Sequence, residues 1–188
     1  MSQQSVQQAD DVLRDIQTLS NRQFLPIIGP VKGEILAEEI RKAKPKHVLE
    51  VGTLIGYSAV LMAKELAANA ELVTIEIHRD EAELAAQNVE RAKLAAKVTI
   101  IVGDAIQVIR TLRGPFDFAF IDAEKVEYRQ YLDLMEDKLT RGAVVFADNA
   151  GIFADAMADY LDYVRNCGKY QSRYVQVGDD GVEISVKL

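Results

Sequence analysis

Apolar and polar positions along the chain change period several times. Val6, Ala9, Leu13, Ile16 and Leu19 recur at helical spacing over residues 5–20. NRQFLPIIGP then breaks the pattern with Pro26, Gly29 and Pro30, and a second helical pattern runs from about Val31 to Ala43. HVLEV reads as a short buried strand, followed by Gly52, Gly56 and a helix through YSAVLMAKELA. LVTIEI is the next strand, after which Asp80 is expected to cap a long helix through Leu94. VTIIV follows as a strand, then GD and a short helix. FDFAFID is the fourth strand, with a helix from about Lys125 to Leu139 behind it. GAVVFAD is the fifth, and a helix from about Ala154 to Asn166 puts Met157, Leu161 and Val164 on one face. SRYVQVGDDGVEISVKL reads as two strands joined through GDDG, a hairpin signal.

Strand and helix alternate five times. This predicts an α/β domain with a mostly parallel sheet covered on both faces and an antiparallel hairpin at one edge. Ligands of such sheets sit beyond the carboxyl ends of the strands, near the point where strand order reverses.

Composition narrows the classes. The 188 residues suit one domain, 49% hydrophobic and 27% charged. No 18-residue apolar run is present, so no membrane partner is expected. The polar start MSQQSVQQADD matches neither a signal nor a transit peptide. The single cysteine, Cys167, allows no internal disulfide and fits a cytoplasmic setting. It falls late in a predicted helix and reads as packing or surface. His47 and His78 lack a second histidine at ligand spacing and read as surface or cofactor-rim positions. The formal charge of −7 favours a small-molecule partner over nucleic acid.

The candidate chemistry lies at the strand ends. Glu50 closes the first strand, Gly52 and Gly56 open the turn behind it, and Ser58 adds a hydroxyl. The glycines admit a ligand close to the backbone, and the helix N-terminus offers free N–H groups. The Glu-x-Gly-x-x-x-Gly spacing differs from a dinucleotide fingerprint and disfavours a nicotinamide-dependent reductase. An acid at this point suits an ammonium. Glu76, at the end of the second strand, can accept hydrogen bonds from two ribose hydroxyls, and Gly103–Asp104–Ala105 can receive an adenine. Each feature alone could be turn punctuation. Together they point to an adenosyl ligand with an amino-acid tail, S-adenosylmethionine.

The other two strand ends carry oxygen ligands. Asp122 ends the fourth strand, with Lys125 three residues on, and Asp148 and Asn149 end the fifth. Adjacent strands would gather two carboxylates and an amide oxygen, a donor set for Mg²⁺ or another divalent cation such as Mn²⁺ or Ca²⁺. Lys125 beside that ion is a candidate general base.

With these residues in view, the sequence resembles the cation-dependent O-methyltransferases, the family of catechol and caffeoyl-coenzyme A O-methyltransferases. LEVGTLIGYSAV, FIDAEK and FADN carry the likeness most specifically, and YLDYVR and DGVEI add to it. The resemblance implies a Rossmann-like S-adenosylmethionine-dependent methyltransferase fold with a seven-stranded sheet. It implies one domain over 1–188, with 1–30 as N-terminal helix and acceptor-site cover and 31–188 as the cofactor- and metal-binding core. It assigns cofactor contacts to Ile28, Glu50, Gly52, Thr53, Gly56, Ser58, Glu76, Ile77, Asp104, Ala105 and Asp122. Asp122, Asp148 and Asn149 match the metal ligands and Lys125 the base. Phe24, Lys125, Asn149 and Glu183 match acceptor contacts, with Glu183 orienting a second hydroxyl. The chain departs from the catechol enzyme at Ala123-Glu124, where that enzyme has His-Trp, and at Phe153, where a proline would be. The implied activity is methyl transfer to a small acceptor with vicinal hydroxyls. A tRNA hydroxyuridine methyltransferase and a non-catalytic adenosyl-binding protein are the alternatives. The apolar stripe of residues 5–20 could cover the acceptor site or pair two subunits as a homodimer.

Overall fold

A computed structural model describes residues 3–188. The strands are β1 (His47–Val51), β2 (Glu71–Glu76), β3 (Lys97–Val102), β4 (Phe116–Ile121), β5 (Leu139–Ala147), β6 (Tyr170–Val177) and β7 (Asp180–Lys187). They form one sheet in the order β3-β2-β1-β4-β5-β7-β6. The first five are parallel, and β7 runs antiparallel to both of its neighbours. The last strand therefore slots inside β6 and lies against β5. Strand order reverses between β1 and β4, which opens a crevice at their carboxyl ends.

Alternation along the strands feeds two cores. Phe118, Phe120 and Phe146 point to one face, where Leu36 and Ile40 of α2 (Gly29–Ala43) and Val60 and Met62 of α3 (Tyr57–Glu65) meet them. Ala119, Ile121 and Val145 point to the other face, against Ile109 of α5 (Ala105–Thr111), Leu132 of α6 (Tyr128–Met135) and Val164 of α7 (Ala158–Asn166). Both faces being covered explains why β1, β4 and most of β5 are apolar at nearly every position.

α1 (Gln3–Ser20) does not reach over the strand ends. It packs against α3 and α4 (Arg79–Ala92), with Ala9, Val12, Leu13 and Ile16 buried in the first core. Lys64–Asp10 at 2.6 Å and Arg91–Asp15 at 2.5 Å hold its polar flank. Most of the stripe expected to cover the acceptor or face another subunit is buried inside the chain, with Leu19 left 40% exposed. What reaches the strand ends is the segment behind α1, Pro26–Ile28.

Three expected boundaries shift. Asp80 lies within the first turn of α4, and His78 holds the cap position without a side-chain bond. An acid in the first turn still favours the helix through its dipole. The helix expected over 125–139 is two short 3₁₀ turns flanking α6, and Leu139 already belongs to β5. α7 starts at Ala158 rather than Ala154, because residues 149–157 are taken up by turns behind the fifth strand. Met157 is buried as expected, and Cys167 sits just past the end of α7.

Phe146 ties the packing to the strand ends. It is fully buried and meets Phe120 edge-on, with centroids 5.6 Å apart. Phe146→Ala should cost about 3–5 kcal/mol in urea unfolding, the usual penalty for emptying an aromatic core site.

Candidate active site

The parallel ladder runs one bond past each strand, and this aims the loops. Gly52 N–H donates to the Ile75 carbonyl at 3.0 Å, Asp122 N–H to Val51 at 2.9 Å, Asp148 N–H to Ile121 at 3.1 Å and Gly103 N–H to Glu76 at 2.8 Å. The residues expected to do chemistry are thus still held by the sheet when their chains turn away. Gly52 sits at φ +95°, and a Cβ there would collide with the Asp122 carbonyl. Only glycine lets the β1 and β4 loops cross this closely.

A cavity of about 520 Å³ opens at the switch point. Ile28, Gly52, Thr53, Ser58, Glu76, Ile77, Asp104, Ala105 and Asp122 all line it. Pro26 and Ile27 close its N-terminal side, and Glu127 and Tyr131 its far side. Ile77 and His78 are exposed at its rim. Gly56 is not in the wall. It begins α3 at φ +88° and packs against Ala85 of α4.

Glu76 pins the glycine turn. Its Oε2 accepts the N–H groups of Thr53 at 3.2 Å and Leu54 at 2.7 Å, and its Oε1 accepts that of His78 at 2.9 Å. Asp104 caps α5 by accepting the Ile106 N–H at 2.8 Å. Glu50 behaves differently. It is completely buried behind the cavity wall, with no cation beside it and with only the Ser58 and Thr74 hydroxyls close by, neither in good hydrogen-bond geometry. Burial pushes its pKa from 4.5 up to about 8. The hydroxyls of Ser58 and Thr74 pull the other way, and the charges of Asp122 and Glu76 push it further up. An orphaned buried acid next to a cavity fits a cationic ligand group.

Beside the cavity, the ends of β4 and β5 gather the second cluster. Lys125 Nζ lies 2.9 Å from Asp122 Oδ1 and 5.3 Å from the centre of the Tyr128 ring. Asp148 is almost fully buried. Its Oδ1 takes the Lys32 ammonium at 2.6 Å and the Asn149 N–H at 2.7 Å. Burial and then the Asp122 charge push Asp148 from 3.8 up to about 6, against the pull of Lys32. Asn149 stands in the left-handed region at φ 61°, which asparagine tolerates better than most residues. Three side-chain oxygens from two adjacent strand ends are a donor set for a hard divalent cation, and the residues fit one.

Two expected acceptor residues fall elsewhere. Glu183 is buried on the face covered by α7, where Arg165 binds both its oxygens at 3.0 and 2.7 Å. Its position opposite Ala147 turns it away from the cavity and the Asp148 side chain, and it is withdrawn from the acceptor site. Phe24 is 91% exposed and touches neither the cavity wall nor the cluster. Sequence reading passed over Lys32, in GPVKG, and Asp180, in GDDG. Lys32 bridges Asp148 and Asp180, the latter at 2.8 Å. The signals were faint: a lysine one turn into a helix, and an acid indistinguishable from turn chemistry.

The sheet order, the glycine turn and the cavity at the switch point define the fold of S-adenosylmethionine-dependent methyltransferases. Within that class, the chain belongs to the O-methyltransferase family, whose model matches residues 3–178. It is 34% identical over 172 residues to catechol O-methyltransferase of Sus scrofa, covering 85% of this chain and 91% of that protein. It is 35% identical over 190 residues to catechol O-methyltransferase of Mus musculus, covering 93% and 71%. Among solved structures, an O-methyltransferase from Bacillus cereus in complex with SAH superposes with a TM-score of 0.85 at 24% identity, over 95% of this chain and 91% of that one. The last likeness speaks to the fold. Among the described residues, no helix is long and apolar enough to cross a membrane.

Glu50 gives a pH signature with a defined sign. Between pH 4.5 and 8 the folded, ligand-free protein holds a proton on Glu50 that the unfolded chain releases, so stability falls as pH rises through that window. Glu50→Gln should match the parent near pH 4.5 and exceed it above pH 8 by on the order of 2–4 kcal/mol, read by urea unfolding at both pH values.

Proposed function

We propose that this O-methyltransferase carries a methyl group from S-adenosylmethionine to one of two adjacent hydroxyls on a small acceptor, with a divalent cation held by Asp122, Asp148 and Asn149. The observation that carries the reading is the cluster itself. Two acids and an amide from neighbouring strand ends stand beside a cavity whose wall hides an unpartnered acid, and a lysine lies 2.9 Å from one of the acids.

The residues divide the work. Glu50 offers its bare carboxylate to the ammonium of the methionine moiety, which removes the cost of burying it uncharged or unpaired. Ser58, Gly52 and Thr53 line the same cavity. Glu76 Oε2 is taken up by two N–H groups of the turn, while Oε1 accepts only one and keeps capacity for a ribose hydroxyl. Ile77, Asp104 and Ala105 bound the space for the base. When bound, the sulfonium cofactor supplies an electrophilic methyl and the cation lowers the acceptor hydroxyl's pKa. Asp122 positions Lys125, whose Nζ would accept the acceptor hydroxyl's proton as its oxygen bonds to the cofactor methyl and S-adenosylhomocysteine leaves. The protein's contribution is to place two reactants and one base in a fixed geometry. The names of the catechol O-methyltransferase relatives support an acceptor with vicinal hydroxyls.

Lys125→Ala should lose turnover by about 10²–10⁴-fold, the range of a general base, while S-adenosylhomocysteine binding measured by calorimetry stays at the parental level. Turnover at the parental rate would remove Lys125 from the scheme. Treatment with a chelator should abolish methylation of a catechol in an assay with labelled cofactor, and added Mg²⁺ should restore it. Full activity in the chelated protein would refute metal dependence.

A further inference from the structure

We propose that Asp180 is a positioning residue that turns the side-chain oxygen of Asn149 toward the divalent cation. The inference rests on the metal-dependent reading above and names a residue that the reading does not use.

Asp180 begins β7, the strand that slots between β5 and β6. Its side chain collects four donors. Oδ2 accepts the Asn149 Nδ2 at 3.0 Å and the Lys32 Nζ at 2.8 Å. Oδ1 accepts the backbone N–H groups of Gly151 at 3.2 Å and Ile152 at 3.1 Å. Its own backbone is fastened too, since the Tyr174 hydroxyl donates to the Asp180 carbonyl at 2.9 Å and Ala150 N–H donates to Gly181 at 2.9 Å. The loop behind β5 is tight against it: a Cβ on Gly151 would come within 2.8 Å of the Asp180 backbone.

The polarity of an amide makes this contact directional. A side-chain amide has a donor end and an acceptor end on the same carbon. With Nδ2 committed to Asp180, Oδ1 of Asn149 is turned away from that acid and is free to act as a ligand. A carboxylate is what position 180 requires. An amide there would set its NH2 end against either the Asn149 donor or the Gly151 and Ile152 N–H groups, and would lose the Lys32 ion pair. Lys32 extends the same device to the neighbouring acid. Held by Asp180, it occupies Oδ1 of Asp148 together with the Asn149 N–H, which leaves the other oxygen for the ion. Groups that orient metal ligands from behind in this way commonly carry 10–100-fold in metal affinity.

The test is titration of the full chain with Mn²⁺ alone, read by electron paramagnetic resonance of the free ion and by water-proton relaxivity of the bound ion. Asp180→Asn should weaken Mn²⁺ binding by about 10–100-fold. Its bound Mn²⁺ should show higher relaxivity than the parent's, as expected when a water replaces the lost amide oxygen. Affinity for S-adenosylhomocysteine without metal should stay at the parental level, which a general loss of structure would not allow. If Asp180→Asn does not fold, Asp180→Glu keeps the charge but displaces the acceptor atoms, and the same loss is expected. Mn²⁺ affinity within twofold of the parent's in a folded variant, or unchanged relaxivity, would overturn the role of Asp180 and leave the metal reading intact. A parent chain that binds no Mn²⁺ would overturn the metal reading itself.

Discussion

Asp122 and Asp148 stand at the ends of adjacent parallel strands, and like charges so placed repel. The ladder bonds that extend past β4 and β5 leave them little freedom to separate. Asp148 feels the consequence directly, since its burial and the charge of Asp122 both disfavour its ionised form. Much of the surrounding structure answers that repulsion. Lys125 reaches one acid from its own loop, and Lys32 reaches the other from α2. Asp180 then takes the far side of Lys32. The charge pattern is alternating, with each acid offering one oxygen to a lysine. Such an arrangement is costly to assemble for stability alone, because buried ion pairs seldom repay their desolvation. The divalent cation proposed for this site would offset the same repulsion.

The cavity half is organised by the opposite circumstance, a buried acid that no cation answers. Glu76 spends its hydrogen-bonding on the backbone of the glycine turn and so defines the shape of the wall. Glu50, two residues before Gly52, spends nothing. One acid shapes the cavity wall and the other is buried behind it. Both sit on strands in the middle of the sheet, where neighbouring strands fix the backbone on either side.

Most of this was legible from the residues because each strand end is punctuated by its own glycine or acid. The order of elements, the parallel core and the antiparallel pair followed from hydrophobic period. Nine of the eleven expected cofactor residues face one cavity; Gly56 instead packs behind the turn, and Glu50 lies behind the wall. The failures share a cause. Lys32 and Asp180 are 148 positions apart, and no local pattern connects them. Asp180 looked like hairpin punctuation because aspartate is common in turns. Glu183 was assigned only through the resemblance, and its side chain is claimed by Arg165, eighteen residues earlier on α7. The stripe on α1 was read correctly as apolar, but a stripe does not say which surface it will meet. Local sequence determines which face a side chain leaves from. It says little about which distant partner gets there first.

The insertion of β7 beside β5 separates the order of synthesis from the order of completion. On an emerging chain, the strands that shape the cavity, β1 through β4, are all present while the loop behind β5 still lacks its anchor. That anchor arrives 31 residues after Asn149. Closing that interval carries an entropic cost that the pairing of β7 with β5 and β6 must offset. The contact that holds the Asn149 amide therefore exists only once β7 lies beside β5.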